Sequence, residues 1–287
     1  KKLCFQARVY LIITLEVKLC FGILQSKTEM EGNMEPIRIF VGTSETEDKW
    51  IERVLVYTLL ENTDRELEIT MMRPSMFEDW NKTGWGTPFT CFRYAIPHLC
   101  DYKGKAIYMD CDQMNFRDIG EFYDTDLGDC AFGMVWDTLN MNPKEFAGTD
   151  KERGWFSDSM ILMDCEKAAK WIDPIEDVAK CDWGYKNVFS KKIGSPHREE
   201  VEDVIIKRMD ARWNSFDGYV TDGESPDRET QQQYHIDDIY HLHFTSLSSQ
   251  IWHPKYSPHG KSSYRRKDIA HVLWKYVYKI RQLQDYL

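Results

Sequence analysis

Short apolar, strand-like runs alternate with segments of helical spacing over the first two thirds of the chain, and this alternation restricts the fold more than anything else in the sequence. Ile37-Arg38-Ile39-Phe40-Val41 reads as a buried strand that stops at the loop signal Gly42-Thr43-Ser44. From Asp48 to Leu60, Ile51, Val54, Leu55 and Leu59 recur at helical spacing, and Asn62-Thr63 ends the helix. Glu68 to Met72 predicts a second strand, Asn81 to Pro88 a polar loop, and Phe89 to Leu99 a return to helical character. Lys105-Ala106-Ile107-Tyr108-Met109 predicts a strand that runs directly into Asp110-Cys111-Asp112. Further strands are expected at Ala131 to Val135 and Met160 to Met163, and a helix from Glu166 to Trp171. Strands alternating with helices imply an α/β fold whose mostly parallel sheet is covered on both faces. Ligands of such sheets sit beyond the carboxyl ends of the strands, where Gly42 to Glu45 and Asp110 to Asp112 both fall.

The 287 residues, 42% hydrophobic and 14% aromatic, suffice for a sizeable core. With 47 acidic against 37 basic side chains, the net charge of −10 argues against a general grip on nucleic acid. An anionic ligand must then be held locally, and a cation bound by carboxylates would reverse the local field. Eight cysteines without a CxxC pair fit reduced thiols and a cytoplasmic location. The apolar content of residues 1–33 is interrupted by Arg8, Glu16 and Lys18, so this stretch is expected to be a dispensable leader, with Met30 or Met34 as alternative starts. A globular domain over 34–260 and a basic amphipathic helix over 261–287 complete the expected organisation.

Two aspartates separated by one residue at a strand end can present oxygens to one hard cation, although solvated turns show the same spacing. The surroundings are more specific. Thr90-Cys91-Phe92-Arg93-Tyr94-Ala95-Ile96-Pro97, followed by Tyr102 to Met109 and Asp110-Cys111-Asp112, resembles the donor-binding core of family 8 glycosyltransferases, with its Arg-x-x-Ile-Pro element and Tyr-x-Asp-x-Asp strand. Ser157-Asp158-Ser159-Met160-Ile161 is similar to the family's acceptor-side strand, Arg212-Trp213-Asn214 to its Trp-Asn element, and His241-Leu242-His243-Phe244 to its late His-aromatic segment. Ser157 and Ser159 stand where the family has Asn and Gly, Val201-Glu202-Asp203 where it has Asp-Gln-Asp, and Ser249-Gln250-Ile251-Trp252 where it has Lys-Pro-Trp.

The resemblance implies a GT-A type fold, with a Rossmann-like nucleotide-binding half and a C-terminal acceptor part. It also implies transfer of a hexosyl unit from a UDP-sugar to a glycan, lipid-linked or protein acceptor, with retention. On that reading Asp110, Asp112 and His243 hold Mn²⁺ or Mg²⁺, and Gly42, Thr43 and Ser44 accommodate the nucleotide. Arg93, Ser157 and Asn214 join Asp110, Cys111 and Asp112 around the donor, the Cys111 side chain being expected to point into the core. Glu202, Asp203 and Asp158 are the candidate catalytic acids, and His241 is expected to be structural. A nucleotidyltransferase is the first alternative, though Gly42-Thr43-Ser44 is poor in glycine for its phosphate loop. The second is a nucleotide-sugar-binding protein without turnover, suggested by the altered Val201-Glu202 and Ser249-Gln250 positions. At the C-terminus, Ile269, Val272, Leu273, Tyr276, Val277, Ile280 and Leu283 form one apolar stripe among Arg and Lys residues. That stripe either packs on the domain or lies on an anionic membrane surface.

Overall fold

The computed structural model describes residues 11–13, 35–47, 49–137, 155–182, 184–185, 204–217, 234–244, 250–252 and 266–284. Its main sheet contains β1 (Leu11–Ile13), β2 (Ile37–Gly42), β3 (Leu67–Met72), β4 (Lys105–Asp110), β6 (Phe132–Asp137), β7 (Trp155–Asp164) and β8 (Ile206–Met209), in the order β1-β3-β2-β4-β7-β6-β8. β3, β2, β4, β6 and β8 run in one direction, while β1 and β7 run against them. Ile37, Ile39, Phe40 and Val41 are all buried, which is why β2 is apolar without alternation: both of its faces are covered.

Helix α1 (Lys49–Glu61) is the crossover between parallel β2 and β3. The chain then returns past β2 to lay β4 on its other side, so the carboxyl ends of β2 and β4 flank a point where the strand order reverses. Between β3 and β4, Thr90–Ala95 form a 3₁₀ turn and Ile96–Leu99 one α-helical turn (α2) with Pro97 near its start, where its missing N–H is tolerated. Short helices α3 (Ile119–Tyr123), α4 (Cys165–Ala168) and α5 (Ile175–Val178) follow. The helix expected from Glu166 to Trp171 is this single α4 turn, and the strand expected at Met160 to Met163 is the ten-residue β7.

A second sheet, which the sequence does not announce, joins β5 (Gln113–Asn115), β10 (His241–His243) and β9 (Ser215–Phe216), in the order β5-β10-β9. The C-terminal helix α6 (Lys267–Gln284) closes the described part of the chain. Leu55, Leu59 and Leu60 of α1 face the core of the main sheet. Ile51, Val54 and Tyr57 of the same helix meet Met114, Leu242, Phe244 and the α6 residues Ile269, Leu273, Val277 and Ile280 in a second apolar cluster. The apolar stripe of α6 therefore packs inward on α1 and the small sheet. No described helix is long and apolar enough to cross a membrane.

Candidate metal and donor-binding site

In-register pairing of β2 with β4 sets Gly42 opposite Asp110, and the Cys111 N–H donates to the Gly42 carbonyl at 3.0 Å. The two loops predicted to carry ligand chemistry are thus neighbours. A Cβ at Gly42 would collide with the Tyr108 hydroxyl and the Phe89 ring, so the close approach this glycine permits is that of side chains from the core. Thr43 and Ser44 are buried beside it. The Thr43 hydroxyl donates to Glu52, whose carboxylate also receives Arg73 at 2.8 Å and Lys49 at 3.2 Å.

Asp110 and Tyr108 are two apart on β4 and point to one side of the strand. The Tyr108 hydroxyl donates to the Asp110 carboxylate, and Arg93 Nη2 reaches the same oxygen at 3.3 Å. Arg93 is buried, its guanidinium 4.5 Å over the Tyr108 ring, and its Nη1 lies 2.9 Å from the Asp158 carboxylate. One guanidinium thereby ties a candidate metal ligand to a candidate catalytic acid.

His243 arrives from the small sheet. β10 pairs it with Gln113 of β5, two residues beyond Cys111, and the Phe244 N–H donates to the Asp112 carbonyl at 3.0 Å. Its Nε2 lies 3.4 Å from Asp112 Oδ1, and one ligand atom from each of Asp110, Asp112 and His243 falls within 4.8 Å of the others. Atoms arranged around one divalent cation at roughly 2.0–2.3 Å stand at such separations, and the set of two carboxylates and one imidazole suits a borderline metal. Burial pushes the Asp110 carboxyl up to about 6 and the Asp112 charge adds to this, against Arg93 and Tyr108. Burial likewise raises Glu47, again with Asp112 contributing. For His243, burial works downward but the carboxylates of Asp112 and Asp110 outweigh it, so its pKa is raised. This excess of crowded negative charge is what a divalent cation would relieve, and the residues present fit one.

Polar partners hold each ligand from behind. Gln250 donates to Asp112 Oδ2 at 2.8 Å and to the Phe244 carbonyl at 3.0 Å. Ser159 Oγ stands 3.1 Å from His243 Nδ1, and Asn214 Nδ2 donates to Ser157 and Ser159, each at 3.0 Å. Asn214 Oδ1, fully buried, has no hydrogen-bond partner among the described residues. His241 lies outside the ligand group, with Nε2 2.8 Å from Gln113 Oε1 and Nδ1 3.2 Å from Asn115 Oδ1. Burial, with His243 nearby, lowers its pKa to about 3 and keeps it neutral.

The serines owe their position to an irregularity in β7. Met134 of β6 faces Ile161, but the next residue, Val135, faces Ser157, while pairing of β7 with β4 reaches only Met160. Asp158 and Ser159 therefore belong to neither ladder. Their carbonyls are taken instead by side chains of the site: Arg93 Nη1 donates to Asp158 O, and Gln113 Nε2 to Ser159 O at 3.0 Å. Such bulges re-aim side chains beside functional sites.

The structure brings Asp110, Asp112 and His243 together, links Arg93 to Asp158, and joins Ser157 to Asn214. Cys111 is buried in the core as its position between two outward acids requires, and burial raises its thiol pKa well above the ordinary range. Glu202, Asp203 and Ser249 lie outside the described residues. Sequence reasoning missed Tyr108, Gln250 and the role of Ser159 as a partner of His243. The two-residue spacing of Tyr108 and Asp110 was available as a signal, whereas Gln250 meets Asp112 across 138 positions with nothing local to mark it.

No protein-family model matches the chain. It is 32% identical over 162 residues to Protein CDI of Arabidopsis thaliana, a match that takes in 50% of this chain and 60% of that protein. Among solved structures it is similar to the galactosyltransferase LgtC in complex with donor and acceptor sugar analogs (TM-score 0.51, 14% identity, 84% of this chain and 95% of that one). It is also similar to the glycosyltransferase GlyE of Streptococcus pneumoniae TIGR4 (TM-score 0.53, 15% identity, 88% of this chain and 63% of that one). At this identity the likeness concerns architecture. The chain has the fold of the GT-A glycosyltransferases, a mixed α/β arrangement with a mostly parallel central sheet flanked by helices.

Proposed function

We propose that this chain is a metal-dependent glycosyltransferase of the family 8 kind, moving a hexosyl unit from a UDP-sugar to a glycan, lipid-linked or protein acceptor with retention of configuration. The observation that carries the reading is the convergence of Asp110, Asp112 and His243 at the carboxyl end of β4, in a fold shared with LgtC and GlyE. These three residues would hold Mn²⁺ or Mg²⁺, the imidazole favouring manganese. When bound, the cation supplies Lewis-acid stabilisation of charge on a departing diphosphate. Arg93 bridges Asp110 and Asp158, offsets part of their charge and fixes their carboxylates. Gly42 to Ser44 border the nucleotide, and Asn214 supports the donor side from behind by holding Ser157 and Ser159. Glu202 and Asp203 act on the donor sugar.

Gln250, neutral and bonded to Asp112 near where the family has its lysine, favours one second reading, a nucleotide-sugar-binding protein without turnover. A panel of UDP-sugars incubated with and without Mn²⁺ separates the two. Manganese-dependent release of free UDP supports transfer, and a manganese-dependent thermal shift without UDP release supports the binding protein. Absence of both removes the nucleotide-sugar reading. Formation of a nucleotide sugar from a nucleoside triphosphate and a sugar phosphate would indicate a nucleotidyltransferase.

A further inference from the structure

The hydrogens around His243 can be counted. Asn214 Nδ2 carries two, one for Ser157 Oγ and one for Ser159 Oγ, so both serines accept from the amide. The two hydroxyls stand 3.0 Å apart, and Ser159 is 3.1 Å from His243 Nδ1. For the neutral imidazole, two arrangements satisfy every contact. In one, Ser157 donates to Ser159 and Ser159 donates to Nδ1, which leaves the imidazole proton on Nε2, 3.4 Å from Asp112 Oδ1. In the other, Ser159 donates to Ser157 and accepts from Nδ1–H, which leaves the Nε2 lone pair free. Without a cation the first is favoured, because a bare lone pair would face a carboxylate. A cation on Nε2 demands the second. Conversion takes the proton off Nε2, as the cation replaces it, and adds one at Nδ1 by exchange with solvent, while the two hydroxyls rotate; no heavy atom has to move.

We propose that Ser159 is a positioning residue for His243, reversing its hydrogen bond to present the Nε2 lone pair when a divalent cation binds. The proposal rests on the metal-dependent reading above and extends it to a side chain that the family's glycine does not provide. A glycine at this position leaves Nδ1–H without this acceptor. The hydroxyl that replaces it is buried, anchored by Asn214 and Ser157, and lifted out of both strand ladders by the β7 irregularity. Partners of this kind behind a ligating histidine fix its tautomer and ring orientation.

The test uses the full chain with Mn²⁺ alone as probe for affinity, and Mg²⁺ as a diamagnetic probe for histidine ring ¹⁵N spectra at about pH 8.5, above the ordinary imidazole range. Ser159→Ala and Ser159→Gly are expected to weaken Mn²⁺ binding roughly 10–100-fold, and Ser159→Thr, which keeps the hydroxyl, to restore it. In the wild type, the His243 proton is expected on Nε2 without metal and on Nδ1 with Mg²⁺. Unchanged Mn²⁺ affinity in folded Ser159→Ala, or one His243 tautomer in both states, would overturn the proposal. If the wild type binds neither ion, the metal reading fails by itself. The metal-free spectra then decide for Ser159: a shifted His243 tautomer balance in Ser159→Ala supports positioning, and an unchanged one refutes it.

Discussion

Replacing Asp112 by Asn should abolish divalent-cation binding and any UDP release, because a hard ligand is lost from a set of three. The metal-free protein should be as stable as wild type or more so, since the Asp112 charge raises the proton affinity of Asp110 and Glu47 around it. Thermal scans with and without Mn²⁺ read both effects, and a retained manganese shift would contradict the ligand assignment. His241 gives a pH-dependent expectation. Its folded pKa, about 3, lies below the unfolded value, so its contribution to stability is present above roughly pH 6.5 and is lost as pH falls toward 3. The neutral ring has one N–H, so His241→Phe leaves one amide oxygen, of Gln113 or of Asn115, without its donor and should cost about 1–3 kcal/mol at neutral pH. The gap to wild type should then narrow by up to roughly 1.4 kcal/mol per pH unit below 6.5, and denaturant titrations showing a constant gap would exclude it. At this scale the convergence of Asp110, Asp112 and His243 was legible, because Asp110 and Asp112 share one strand end and His243 sits in a characteristic segment. Their supports were not: Ser159 meets His243 across 84 positions, and a hydroxyl in a strand carries no mark of its partner.

Among the elements, α6 shows what periodicity can and cannot tell. The spacing of Ile269, Leu273, Val277 and Ile280 announced an amphipathic helix but not its destination, which is Ile51, Val54 and Tyr57 of α1. Because α1 is buried on two sides, removing α6 bares one of them. Leu273→Ala is expected to cost about 2–5 kcal/mol by denaturant unfolding. Deletion of residues 265–287 should leave the domain unfolded or aggregated, and a soluble, cation-binding product would show that the packing matters little. The apolar stripe is not free to enter a lipid surface, so only the outer face bearing Trp274 and Tyr278 remains for such a contact. Salt-sensitive vesicle binding lost in Trp274→Ala would assign it that role. The small sheet was illegible for a different reason. β5, β9 and β10 have 3, 2 and 3 residues, too few for a period-two pattern, and they exist only through pairing between distant segments.

For the whole molecule, the order of strands placed the site where the alternation in the sequence implied, between the ends of β2 and β4. The reversed course of β7 was not readable, since direction leaves no trace in a buried apolar run. Truncation of residues 1–33 removes β1, an edge strand paired with Leu67 to Ile69, and leaves β2, β3 and β4 paired. The shortened protein is expected to fold and bind cation, with faster hydrogen exchange confined to β3, and an unfolded product would contradict this. The unladdered pair Asp158 and Ser159 has a consequence for how relatives are compared. Arg93 and Gln113 supply the hydrogen bonds that a neighbouring strand would otherwise give there, so they serve the sheet as well as the chemistry. In a relative that held no cation, selection for folding alone would still preserve both. The Asp112 side chain belongs to neither ladder and meets Gln250 and His243, so its persistence or decay among relatives is the better record of whether the proposed cation site is kept.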